Sequence, residues 1–180
     1  MVKKTTSIKQ YFNGRFFIYL IMMRIHYFSN FILLIGFIIA ILSCSYRDVY
    51  EKYLTLEKGN WPSTKILNYD YQSIDTLQVY NIFINIRHTG SYQYDNIYLF
   101  VTTQAPNGNT HKDTVEFILA DEHGKWTGNG IGDMFDVRLA FKRNIRFGQI
   151  GDYSFQIKQA MRDNVLKYIT DVGIRVEKAK

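Results

Sequence analysis

Cys44 is the only cysteine in the 180-residue chain, and its surroundings suit one reaction. Phe31–Leu42 precedes it as an unbroken apolar run, Ser43 is small, and polar sequence begins at Ser45. A thiol placed there can take a diacylglyceryl group as a thioether. Cleavage before Cys44 would then leave it as a lipidated amino terminus. Without a second cysteine, an intramolecular disulfide is impossible.

The apolar run is twelve residues long, about 18 Å as a helix, whereas a bilayer core needs about 20 apolar residues. Behind a basic segment, such a run is the pattern of a cleaved export signal. Ile41-Leu42-Ser43-Cys44 resembles a bacterial lipobox, although Leu42 stands where a smaller residue is commoner. Residues 1–43 therefore read as a signal peptide, with Met22 or Met23 as alternative starts. The mature chain would be held at a membrane by acyl chains on Cys44 without spanning it, since two or more chains anchor stably. Ser45, Tyr46 and Arg47 carry no acid, which favours transfer to the outer membrane. The absence of a dense acidic run in Ser45–Lys52 points to the periplasmic face.

Other residues invite chemistry and mostly decline it. Gly124, Gly128, Gly130 and Gly132 suggest a phosphate loop, but Lys125 precedes Trp126 instead of closing a Gly-Lys-Ser/Thr motif before a helix. The stretch reads as a tight surface loop. Trp126 within it is either a core anchor or an exposed platform for a sugar ring or a protein partner. Asp121, Glu122, Asp133 and Asp136 could offer oxygens to Ca²⁺, at a spacing that matches no established loop. His88, His111 and His123 form no His-x₃-His pair, and there is no Gly-x-Ser-x-Gly elbow. No catalytic residue, metal or cofactor is expected. Arg87 and Arg162 leave candidate strands, where they could pair with Asp113 or Asp171 or face a partner.

The formal charge of +6 does not imply nucleic acid. Of 22 basic residues, five (Lys3, Lys4, Lys9, Arg15 and Arg24) lie in 1–43, leaving 17 against 16 acidic residues beyond. The basic excess belongs to the amino terminus.

From Lys65 onward the chain alternates with period two, the strand signal. Candidate strands are Ile66–Tyr71, Leu77–Arg87, Ile97–Thr103, Lys112–Leu119, Asp136–Phe141, Ile145–Phe147, Tyr153–Gln159 and Val172–Glu177. Tyr80, Ile82, Ile84 and Ile86 share one face, as do Tyr153, Phe155 and Ile157. Pro106-Asn107-Gly108-Asn109 is a turn. About eight short strands without a long helix predict an all-β fold, an antiparallel, jelly-roll-like β-sandwich over 64–180. Residues 44–63 are expected to be a lead-in, with Val49–Leu54 either a short helical stretch or an extended arm.

The blocks YNIFINIRHTGSYQYDNIYLFV (Tyr80–Val101), Pro106–Gly108 with Asp113-Thr114, DEHGKWTGNGIGD (Asp121–Asp133), GDYSFQIKQAMR (Gly151–Arg162) and TDVGIRVEK (Thr170–Lys178) together resemble the gliding-motility lipoprotein family GldH of the Bacteroidota. The resemblance covers roughly 44–180, with the candidate acylated cysteine at its head. It implies a lipid-anchored accessory of the envelope machinery that contacts other envelope or motility proteins and is not an enzyme. A glycan-binding sandwich is the alternative, to be favoured if Trp126, Tyr92 and Tyr94 form an open aromatic row.

Overall fold

A computed structural model describes residues 49–179, so Cys44 and the expected signal peptide lie outside the described residues. The strands are β1 Val49–Thr55, β2 Asn60–Pro62, β3 Leu67–Ser73, β4 Tyr80–Thr89, β5 Asn96–Gln104, β6 Thr110–Ile118, β7 Asn129–Ile131, β8 Met134–Ile145, β9 Gly151–Gln159, β10 Val165–Lys167 and β11 Ile169–Lys178. Five pair in the order β1-β11-β4-β8-β7, four in the order β3-β9-β5-β6, and β10 pairs with β2. Every pairing is antiparallel. This is the expected all-β sandwich. Among the described residues no helix is long and apolar enough to cross a membrane.

The core forms where the inward parities of the two larger sheets meet. Ile82, Ile84 and Ile86 of β4 and Val172, Ile174 and Val176 of β11 are buried on one side; Ile97, Leu99 and Val101 of β5 and Phe155 and Ile157 of β9 are buried on the other. Each such aliphatic or aromatic side chain contributes about 1.5–3 kcal/mol when fully buried. Tyr69 on β3 crosses this layer and donates its hydroxyl hydrogen to the Val172 carbonyl at 2.7 Å, both atoms buried. Trp61 and Leu166 pair across β2 and β10 and are buried with the core, and the Trp61 indole N–H donates to the Lys65 carbonyl.

Several elements differ from the sequence-based expectation. Val49–Leu54, a short helical stretch or an extended arm by sequence, lies in the edge strand β1 (Val49–Thr55), paired with β11 along its whole length. Short β2, within the expected lead-in, is also a strand. The candidate Asp136–Phe141 lies within the longer strand β8, which passes an irregularity opposite Tyr80–Phe83 and ends at Ile145, so Arg146 and Phe147 of the candidate Ile145–Phe147 fall in the connection that follows. Part of the Asp121–Asp133 loop is β7, which turns into β8 through Gly132 at φ 62, a left-handed conformation glycine adopts without a Cβ clash.

The register defines two ends. Val49, Tyr80, Ile145 and Lys178 are gathered at the end nearest the start of β1, the proximal end. The second sheet joins there, because Phe147 packs against Tyr80, Tyr71 and Tyr153 with ring centroids 4.8–5.3 Å apart. Thr89, Met134 and Ile169 mark the opposite, distal end.

Candidate functional site

His88 sits at the distal end of β4, where it continues the inward parity of Ile82, Ile84 and Ile86. It is wholly buried, stacked on Phe135 at 5.6 Å and met edge-on by Trp126 at 4.5 Å. Its Nδ1 lies 3.0 Å from the Thr89 carbonyl, an acceptor, so that nitrogen carries the hydrogen. Nε2 has no hydrogen-bond partner among the described residues. Burial pushes the imidazole below its ordinary pKa, and the Thr89 contact opposes this only in part. A neutral histidine with its free lone pair among aromatic rings is a packing element. Among the described residues no hydroxyl hydrogen-bonds to it that it could activate.

The aromatic packing continues outward. Trp126 is half-buried against the core and lies 6.3 Å from Tyr92. Tyr92 is buried, meets Tyr94 edge-on at 5.7 Å, and donates to the Asn96 carbonyl. Burial and the neighbouring Tyr94 and Asp163 push the Tyr92 hydroxyl pKa upward, so the phenol stays neutral. Of the two readings of Trp126, its position fits the core anchor, and Trp126, Tyr92 and Tyr94 do not form an open row. Trp61 is the fully buried tryptophan.

Tyr94 forms a ridge between two grooves. Its hydroxyl donates to Asp163 Oδ2 at 2.7 Å. On one side a groove of 510 Å³ is lined by Tyr94, Tyr98, Ala160, Met161, Arg162 and Asp163. On the other a groove of 330 Å³ runs past Asn164, Lys167 and Tyr168. The loop between β9 and β10 that shapes both is held from below by Gln159, a buried amide. Its Nε2 donates to the Asp163 carbonyl at 2.8 Å, and its Oε1 accepts the Met161 N–H at 2.8 Å. The Tyr98 N–H donates to Met161 Sδ at 3.3 Å, fixing the thioether on the wall. Arg162 and Lys167 are exposed and make no salt bridge among the described residues. Two preformed, aromatic-walled grooves with unpaired cations suit binding.

Arg87 is elsewhere, on the outward face of β4. It pairs with Asp136 at 2.8 Å and lies 4.1 Å over the Tyr53 ring. The expected partners are therefore corrected. Asp171 is the cross-strand neighbour of Arg87 but accepts the Thr55 hydroxyl, and Asp113 pairs with Lys142 and His111. The hydrogen bond and charge of Asp136 hold the guanidinium more firmly protonated, against a partial desolvation cost. Asn85, fully buried although on this outer face, donates to Glu51 and to the Tyr53 hydroxyl, and Arg175 bridges Glu51 and Glu177. The network fastens β1 to the sheet.

The possible Ca²⁺ ligands are dispersed into other work. Asp121 Oδ1 accepts the N–H groups of His123 and Lys125, Asp133 accepts that of Gly90, and Asp136 holds Arg87. Among the described residues no group of three His, Cys, Asp or Glu could hold a metal ion.

Fold and site together describe a β-sandwich whose distal end carries two grooves on either side of Tyr94. The GldH lipoprotein family profile matches residues 48–176. The chain is 36% identical to the gliding motility lipoprotein GldH homolog of Christiangramia forsetii, over 84% of this chain and 96% of that one. It is 32% identical to the gliding motility lipoprotein GldH of Flavobacterium johnsoniae, over 77% of this chain and 90% of that one. The chain belongs to the GldH lipoprotein family. Among solved structures, a carbohydrate-binding module of the CBM28 type aligns with 72% of this chain and 73% of its own at a TM-score of 0.40 and 9% identity, too remote to bear on function.

Proposed function

We propose that this chain is a non-catalytic lipoprotein of the cell envelope, an accessory of gliding-motility machinery that acts through protein–protein contacts. The single observation that carries the reading is the family match over residues 48–176, which starts just behind Cys44. In this reading residues 1–43 are removed as a signal, Cys44 is acylated, and the body is held on the periplasmic face of the outer membrane. Partners dock at the distal end, on the Tyr94 ridge and its two grooves, with Arg162 supplying charge at the rim. Trp126 supports the ridge from behind through Tyr92. Arg87, engaged by Asp136 and Tyr53, holds the sheet instead of meeting the partner.

The glycan-binding alternative required an open aromatic row. Tyr92 is buried, and Trp126 is packed against the core, so that requirement is not met.

Mass spectrometry of the protein purified from native membranes, followed by affinity capture from solubilised envelopes, tests the reading. The expected result is an acylated Cys44 at the amino terminus and capture of a defined envelope protein. An intact leader with an unmodified thiol would overturn the anchoring, and a protein captured alone would overturn the docking role.

A further inference from the structure

Ser73 and Gly151 are the last registered pair where β3 and β9 reach the proximal end. The residues just beyond that pair are Ile74 and Ile150, and both project into solvent, 75% and 66% exposed. Leu77, in the same β3–β4 connection, is 82% exposed. The two connections are tied together, because the Arg146 guanidinium donates to the Leu77 carbonyl at 3.0 Å. The Asp75 carboxylate is turned onto the N–H groups of Leu77 and Gln78, which fixes the turn that presents Leu77. Arg143 is exposed at this same end, on the strand leading into the β8–β9 connection. Three large aliphatic side chains are exposed on adjoining loops at one end, a kind of surface suited to an apolar contact.

The occupant follows from where the chain enters. β1 starts at the proximal end, with Val49 opposite Glu177. Cys44 lies five residues before Val49, and five residues span at most about 18 Å when fully extended. If Cys44 carries acyl chains buried in a bilayer, the proximal end cannot stand far from the lipid headgroups. Ile74, Leu77 and Ile150 are then the side chains that arrive there, with Arg143 and Arg146 beside them at headgroup level.

We propose that Ile74, Leu77 and Ile150 form a second, non-covalent membrane contact that seats the proximal end on the bilayer and turns the distal grooves away from it. The inference rests on acylation of Cys44. Aliphatic side chains dipping into the interfacial region add a second point of attachment, which restricts rotation about the first. The lipoprotein would then stand on its membrane in one orientation, its Tyr94 ridge facing an incoming partner.

The test uses the full lipidated protein in vesicles of phosphatidylethanolamine and phosphatidylglycerol. Leu77→Cys, Ile150→Cys and, as control, Ile131→Cys are each labelled with an environment-sensitive nitrobenzoxadiazole dye. Ile131 is 87% exposed but lies on the β7–β8 hairpin at the distal end. All three side chains are exposed, so the substitutions leave the core intact. Native Cys44, if acylated, offers no competing thiol. The expected result is blue-shifted emission, quenched severalfold by headgroup-proximal spin-labelled lipid, at positions 77 and 150 only. Aqueous emission at all three positions, or equal quenching at all three, would overturn the proposal. Labelling of a second thiol would instead locate the failure in the acylation of Cys44, because the mass of the labelled protein reports the two events separately.

Discussion

The Tyr94 hydroxyl is bound to Asp163 at 2.7 Å across 69 residues of sequence, and that single bond separates the two distal grooves. It neutralises the donor capacity of one residue and occupies the carboxylate of the other. One groove is lined by Tyr98, Met161 and Arg162, the other by Gln93, Asn164, Lys167 and Tyr168.

The double variant Arg162→Glu/Lys167→Glu is expected to fold normally, with stability changed by less than about 0.5 kcal/mol, because both side chains are exposed and unpaired. Capture of the envelope partner should fall by about tenfold or more, equivalent to about 1.4 kcal/mol. Quantitative pull-down beside a thermal melt checks this. Undiminished capture would remove the distal grooves from the docking role.

Gly173 is covered by the Tyr53 ring, and a Cβ there would lie 2.8 Å from Tyr53 Cδ1. Gly173→Ala should displace the ring, break the Asn85 contact with the Tyr53 hydroxyl, and destabilise the fold by about 1–3 kcal/mol. In a double-mutant cycle with Tyr53→Ala the two losses should be less than additive, since both release the same ring. Urea unfolding midpoints supply the numbers.

Removing one oxygen tests the bridge between the sheets. Tyr69→Phe keeps the ring but deletes the hydrogen bond to the Val172 carbonyl, both groups being buried. A loss of about 1–2 kcal/mol is expected in chemical denaturation, the range for a buried hydrogen bond whose partner stays unsatisfied. An unchanged midpoint would mean that packing of the ring alone joins the layers.

His88 gives the fold a pH dependence of defined sign. Burial lowers its folded pKa below the ordinary value of 6.5, so between that lowered value and 6.5 the unfolded chain binds more protons than the folded one. The stabilisation is fully present above pH 6.5 and is lost as pH falls through the lowered folded pKa. Unfolding midpoints at pH 7.5 and 5.5 should fall less in His88→Phe than in the natural chain, whatever the variant's absolute stability. Equal falls would show that other groups govern this window.

Where burial followed parity, it was legible in the residues. Tyr80, Ile82, Ile84 and Ile86 on β4 alternate with neighbours that are polar except for Phe83; Tyr153, Phe155 and Ile157 on β9 alternate with Ser154 and Gln156; both sets are buried as read. The same parity places His88 inside, one residue beyond the end of the candidate strand Leu77–Arg87. β1 was harder. VYEKYLT keeps Glu51 and Tyr53 on the outer face, where Asn85 and Arg87 of a strand some thirty residues away complete the contact. Strand order, β11-β4-β8, places Asp171 and Asp136 on either side of Arg87 and leaves Asp113 in the other sheet; Asp171 accepts the Thr55 hydroxyl, and Arg87 pairs with Asp136.

The sequence by itself determined that strands would form, which face of most of them would be apolar, and that one thiol stood behind an apolar run. Those properties are local: alternation with period two and the order of neighbouring residues. Only the tertiary structure decided that Tyr94 meets Asp163, that Gln159 props the loop between two grooves, and that Ile74, Leu77 and Ile150 share an end with the start of β1. Antiparallel pairing brings together residues whose separation along the chain carries no periodic signal. The register of two sheets, and not the pattern within any strand, fixes which loops become neighbours.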